Sequence, residues 1–418
     1  MITPAYALTS TERVLPRLAL DFTTGVLDPR VTVTRALNTA TRVNSSGYIE
    51  AVNADLPRFD YSPTSVGTPR GLLIEESRAN LILQSQAFNT ASWAPDATTV
   101  LADAIASPDG TVNADRLSST LFTGQTYITQ FATPVAATAY VFSVYLKVGT
   151  QNFVQLLNTG DAQTYVNFNI LTGVVGTSGS KTTGAITPVG NSWYRCEARF
   201  NSTSALNVAW RVSFAPSASA GFAATTFAGT GAENFYLWGA QLEAGAFATS
   251  YIPTTTTSLT RNADAVSMTG TNFSDWYNAT EGAFVIDVNN FSSIASAAAT
   301  FISANDNPLT NDWILMYGDS TYTVSNYTTA GSSQANFLVA SSISTGGKVA
   351  FAYAANNFAT SVKGGTVSSD PSGTLNSDIT ILRIGAFSAN PNYLNGCMRK
   401  ISYWPQRLTN AELQAFSK

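Results

Sequence analysis

Strand-length apolar runs, separated by clusters of Gly, Ser, Thr and Asn, recur along most of this 418-residue chain. The first series is YVFSVYL (140–146), NFVQLL (152–157), YVNFNI (165–170), WYRCEARF (193–200), NVAWRVSF (207–214) and NFYLWGAQL (234–242). All are rich in β-branched and aromatic residues, and helical periodicity is almost absent. In NVAWRVSF, alternation sends Val208, Trp210, Val212 and Phe214 to one face and Ala209, Arg211 and Ser213 to the other. Trp210 and Trp238 are assigned to the core on this pattern. Cys196 shares a strand face with Tyr194, Ala198 and Phe200, which predicts a buried free thiol.

A second series comprises GAFVIDV (282–288), WILMY (313–317), VAFAY (349–353), ITILRIGAF (379–387) and CMRKISYW (397–404). It ends in RLTNAELQAFSK, where Thr409 and Glu412 predict a capping box opening a terminal helix, with Leu408 stapling its entry to Leu413. The expected fold class is therefore all-β. Tandem antiparallel β-sandwich domains of jelly-roll type follow an N-terminal β-rich arm, and one short helix closes the chain. The expected boundaries are an arm or small β module over 1–80, a jelly-roll domain over 81–256, a linker over 257–280 and a second sandwich over 281–418. Each sandwich has its own strand set and is expected to fold alone.

Charge narrows the function. Only 11% of residues are charged while 44% are hydrophobic, and 22 basic against 26 acidic residues leave a net charge of −4. No basic run provides a nucleic-acid footprint. The N-terminus lacks the basic start of a secretory signal, and the most apolar uncharged stretch, Phe291–Ala304, is too short and too Ser-rich to span a bilayer. Histidine is absent, which removes Ser-His and Cys-His nucleophilic sites and every His-containing metal site. Without it, stability and neutral-ligand binding are expected to be nearly flat between pH 5 and 8, with losses below about pH 4.

The first 80 residues hold eight arginines, eight acids and no lysine. Arginine without lysine predicts bidentate pairing with carboxylates where water is partly excluded. Arg30, Arg35, Arg42, Arg58, Arg70 and Arg78 are the residues expected to anchor this arm to a neighbouring protein. An ordinary solvated segment is the other reading. Glu75 and Glu76 sit among Arg70 and Arg78 and are expected to pair with them.

Sugar sites on sandwiches combine an aromatic platform with amide or carboxylate hydrogen bonds. The candidates are Trp276 and Tyr277, Trp313 beside an Asn/Asp loop, Tyr327, and the turn holding Asn392, Tyr393 and Asn395. Core packing is the alternative for each, and for Trp313 it is favoured. In NDNPLTND (305–312), Asp306 and Asp312 offer hard oxygen ligands to calcium, although the same residues make an ordinary turn, the preferred reading. No cofactor is otherwise expected.

Two blocks resemble known families. DPRVTVTRALNTATRVNSSGYI, PRFDYSP and PRGLLIEESRANLILQSQAF, extended by ENFYLWGAQLEAGAFATSYIPT, resemble the N-terminal part of a group of tailed-bacteriophage and prophage virion proteins. In that group an arginine-rich block precedes carbohydrate-binding-like jelly rolls. ITILRIGAF with LNGCMRKISYWPQRLTNAELQAF is similar to the end of a concanavalin A-like or laminin-G-like sandwich. The resemblance implies a lectin-like protein on the virion surface, partnered by other virion proteins and by bacterial surface polysaccharide, with a homo-oligomer, by analogy a trimer. It carries no catalytic motif and fixes no ligand residues. The E-x-D-x-x-E strand of concanavalin-like glycanases has no counterpart, and Asp287 stands alone in its strand. A non-enzymatic spike, fibre or decoration protein that binds host glycan is expected. Its rivals are a purely architectural protein and a polysaccharide depolymerase.

Overall fold

The computed structural model describes residues 15–37, 39–135, 138–201, 208–292, 298–306, 311–375, 378–387 and 392–418. The chain forms two compact units. One is continuous, 33–264, and the other joins 1–32 to 265–418. The first 80 residues are thus shared between the units.

Unit 33–264 contains two six-stranded antiparallel sheets. The first runs Thr182–Pro188, Trp193–Asn201, Ala139–Val148, Asn234–Ala244, Val112–Ser119, Thr98–Ala106. The second runs Val174–Ser178, Tyr165–Asn169, Phe153–Asn158, Val208–Phe214, Tyr127–Ala132, Ala94–Asp96. Alternating residues of both sheets meet in one core, where Trp210 packs on Phe142 and stacks on Phe200. Val208, Trp210, Val212 and Phe214 all face this core, as the alternation predicts. Cys196 is buried there as a free thiol, which burial holds well above its ordinary pKa. Trp238 is buried beside Tyr145 and Tyr251.

The arginine-rich block of this unit folds onto its C-terminal end. Asp264 accepts from Arg35 Nη1 at 2.8 Å, from Arg58 Nε at 3.3 Å and Arg58 Nη2, and from the Glu75 amide at 2.9 Å. Glu75 accepts from Arg58 Nη1 at 2.7 Å and from the Ser250 amide and hydroxyl at 2.8 and 2.7 Å. Arg261 Nη1 lies 3.1 Å from Glu75, close enough to pair by charge but not aligned for a hydrogen bond. All five ionised side chains are buried. The predicted pairing with carboxylates is present, partly within the arm through Glu75 and partly more than 200 residues away, where Arg35 and Arg58 reach Asp264.

Burial alone would raise Glu75, yet the charges of Arg261 and Arg58 and the Ser250 bonds outweigh it and hold the carboxyl at about 2. A group depressed in this way stabilises the fold above its unfolded pKa, and that stability is lost as pH falls through the folded value. Melting temperature is therefore expected to fall between about pH 4.5 and about pH 2. Glu75→Gln should remove part of this dependence. The remainder includes Glu233, which hydrogen bonds from Ser119 and Thr230 hold at about 2 despite some desolvation. Asp60, Asp115 and Asp287 are raised by burial and act in the opposite sense. They favour the fold at low pH and lose that effect as pH rises through their shifted values. A wild-type melting temperature unchanged down to pH 2 would refute the depressed Glu75.

In the unit formed by 1–32 and 265–418, one sheet runs Ser368–Asp370, Phe358–Val362, Gly347–Ala354, Glu281–Phe291, Gly396–Trp404, with Leu18–Asp21 paired to Gly396–Trp404. The other runs Ala265–Thr269, Ile381–Ile384, Ala299–Asn305, Trp313–Gly318, Thr323–Thr329, Ser332–Val339. Tyr327 against Tyr353 and Phe358, and Phe337 against Phe351, join their inner faces. The helix Asn410–Phe416 opens with the predicted capping box at Thr409 and Glu412. It packs Leu413 with Leu408 against Ala283, Val285 and Trp404 on the first sheet's other side.

Candidate functional site

The outer face of the sheet containing Trp313–Gly318 gathers the best-placed aromatic and amide side chains of this unit. Cross-strand partners share a sheet face. The register therefore sets Asn305, Trp313 and Thr328 in one row and Arg383, Ser303, Leu315, Asn326 and Asn336 in the next. Tyr317, Val324 and Leu338 form a third row. The strand WILMYG buries Ile314 and Met316 and leaves Trp313, Leu315 and Tyr317 half-buried, the period of two expected of a sheet with one packed face.

Trp313 is fixed in place. Its Nε1–H donates to Asn326 Oδ1 at 2.9 Å, and its ring meets Phe387 edge-on at 5.9 Å. Asn326 Oδ1 also accepts from Thr328 at 2.8 Å, and Arg383 Nη1 donates to Asn305 at 3.0 Å. Partial burial lowers the Arg383 pKa. An indole held by its only polar atom presents its apolar edge and face to a partner. Asn305 and Thr328 beside it are buried, and the half-buried Asn326 and Arg383 with the exposed Asn336 offer donors and acceptors. That set suits a hydroxyl-rich ligand.

The other sugar candidates are placed differently. Tyr327 is buried, because its neighbour Asn326 takes the outward position and alternation turns the ring into the core. Trp276 is buried too. The turn Thr271–Ser274 seats it on Tyr403, and its Nε1–H is bonded to Asn272 O at 2.8 Å. Tyr277 is half-buried, stacked between Phe273 and Tyr353, with burial pushing its hydroxyl pKa well up. Trp276 and Tyr327 therefore present no ring face to a ligand. Asn392, Tyr393 and Asn395 are half-buried around the buried Leu394. Asn395 has φ of 47°, which suits Asn, and its carbonyl accepts from Ser292 N at 2.9 Å.

Asp312 Oδ1 accepts from Ala330 N at 2.8 Å, and Asp306 accepts a 3.4 Å bond from Asn311 N. Positions 307–310 of this loop lie outside the described residues. Among the described residues no group of three or more Cys, Asp or Glu is placed to hold a metal.

Every arginine expected to anchor the arm has a carboxylate partner within the chain. Arg30 pairs with Asp28 at 2.7 Å, Arg42 with its cross-strand partner Glu50 at 2.7 Å, and Arg70 with Asp60 at 3.5 Å. Arg78 Nε holds Glu76 at 2.6 Å, so Glu76 pairs as expected, whereas Glu75 turns to Arg58 and Arg261 instead. Arg35 and Arg58 are fully buried, and a guanidinium without surface has nothing to offer another protein. Their docking role is replaced by an internal one.

Sequence reasoning singled out Trp313, with core packing as its favoured role, and did not single out Asn326, Arg383 or Phe387. The alternation in TVSNYTT carries the signal for Asn326. Nothing local marks Arg383 or Phe387, which reach Trp313 and Asn305 only through strand pairing.

Fold and face together define an all-β protein of antiparallel sandwich units, one of them bearing an outward aromatic–amide surface. No family model and no curated protein matches the chain. Among solved structures it is similar to a Trypanosoma rangeli sialidase mutant displaying trans-sialidase activity, at 14% identity and TM-score 0.27. That match covers 37% of this chain, which spans only 26% of the sialidase. The LG1-3 region of the laminin alpha2 chain is similar at 11% identity and TM-score 0.26, covering 68% of this chain and 66% of that one. Mouse laminin alpha1 domains LG4-5 are similar at 8% identity and TM-score 0.25, covering 83% and 95%. Among the described residues no helix is long and apolar enough to cross a membrane.

Proposed function

We propose that this protein is a non-enzymatic surface component of a tailed-phage particle that binds host cell-surface glycan through the outer face around Trp313. The observation that carries the reading is the half-buried Trp313 ring, anchored through Asn326 and sharing its face with the half-buried Arg383 and the exposed Asn336. The amides and the indole are uncharged at all ordinary pH values, which fits a neutral or weakly charged polysaccharide. The virion placement rests on the arginine-rich block and its resemblance to virion proteins.

A glycan array probed with the full chain, followed by titration of the best hit, tests this. Trp313→Ala is expected to weaken binding about fivefold, since stacking on an aromatic ring is worth about 1 kcal/mol and a tenfold change is about 1.4 kcal/mol. Melting temperature checks that the variant is folded. An array without hits would favour the architectural role. Release of reducing ends from host capsule would favour the depolymerase.

A further inference from the structure

We propose that unit 33–264 carries a second binding site, for a neutral hexose-sized polyol, on the outer face of its sheet containing Phe153–Asn158 and Val208–Phe214. Tyr127, Ser213, Gln155 and Asn167 occupy one cross-strand row of that face, with Thr129, Arg211 and Leu157 in the next. Three polar atoms on this face are buried without a hydrogen-bond partner: Gln155 Oε1, Ser213 Oγ and Arg211 Nε. Gln155 and Ser213 are direct cross-strand partners, and Arg211 lies two residues along the same strand face. Buried polar atoms are nearly always paired, so one acceptor, one hydroxyl and one donor left open side by side call for a common partner. Their mixture matches adjacent hydroxyls of a sugar.

The rest of the face is already ordered for such a ligand. Gln155 Nε2 is committed to Asn167 Oδ1 and Gly221 O, both at 2.9 Å, which aims its open oxygen. Arg211 stacks 3.9 Å over the Tyr127 ring and gives Nη1 to Gln125 at 2.7 Å, leaving Nε–H. Segment 215–225 covers one end of the row through Ala220 and Gly221 carbonyls and the Phe222–Tyr165 ring contact. Its Ala223 and Ala224 have φ of 62° and 45°, a left-handed conformation costly for alanine. A cover held under local strain is suited to yield to a ligand. At the other end Tyr127 and Arg211 are half-buried and Phe131 is exposed on the same face, forming an open aromatic rim.

Saturation-transfer NMR on the full chain with glucose, galactose, mannose, N-acetylglucosamine and rhamnose tests the site. At least one sugar is expected to receive saturation, and Ser213→Ala and Arg211→Lys to weaken it about tenfold, the loss expected for a hydrogen bond to a buried group. Trp313→Ala should leave this binding unchanged, which separates it from the function proposed above. Because the Ser213 hydroxyl has no partner in the free protein, Ser213→Ala should not lower the melting temperature. The proposal is overturned if no sugar receives saturation, if both variants bind like wild type, or if Trp313→Ala alone abolishes the signal. A lowered melting temperature for Ser213→Ala would show that the hydroxyl is already satisfied by water, and would overturn it as well.

Discussion

Asp264→Asn is expected to destabilise unit 33–264 by about 3–5 kcal/mol, the usual result of breaking a buried ion pair from one side. For a unit of this length that corresponds to a fall of roughly 6–20 °C in melting temperature. The reason is the number of groups that depend on one carboxylate. Asp264 serves Arg35, Arg58 and the Glu75 amide, and a neutral amide leaves the buried guanidinium groups with less compensating charge. Burial already works against Arg261, whose pKa it lowers. A calorimetric scan of full-length wild type and variant measures the effect. Combining Asp264→Asn with Arg58→Met should cost less than the two changes added, because each single change strands the other's partner. A shift below about 1 kcal/mol, typical of exposed pairs, would show that the cluster contributes no more than a surface bridge.

The second large effect concerns where the chain can be cut. A fragment spanning 33–264 is expected to melt cooperatively, whereas one spanning 81–256 should be largely unfolded. The shorter piece keeps both six-stranded sheets but loses Arg35, Arg58, Glu75, Arg261 and Asp264. It also loses the pairing of Arg78–Asn80 with Leu259–Arg261. With it goes Asn80, whose buried amide bonds Leu242 N at 3.0 Å, Ala240 O at 3.1 Å and Ile252 O at 2.9 Å. Removing that side chain leaves several buried backbone groups unpaired, each costing about 1–3 kcal/mol. Circular dichroism and chemical melts of the two fragments decide the point. A stable, cooperative 81–256 would show that the two sheets suffice without the flanking segments.

Local patterning made much of this protein legible. The alternation in NVAWRVSF placed four residues in the core between the sheets and three on the opposite face, and the T-x-x-E spacing placed the terminal helix, because both signals act over a few residues. It also identified arginines destined for carboxylate partners. The partners themselves were not legible. Arg58 meets Asp264 across 206 positions of sequence, and no local pattern records which distant carboxylate a buried guanidinium will reach. The same limit explains the sugar candidates. An aromatic in a polar stretch looks exposed in sequence, yet strand parity turned Tyr327 inward and left Asn326 at the surface. Composition and period two are properties of short segments, and they determined the all-β class by themselves. Which strands lie side by side, and so which side chains share a face, depends on long-range pairing. Only the tertiary structure decided that Trp313, Asn326 and Arg383 share one face and that Gln155 and Ser213 meet on another.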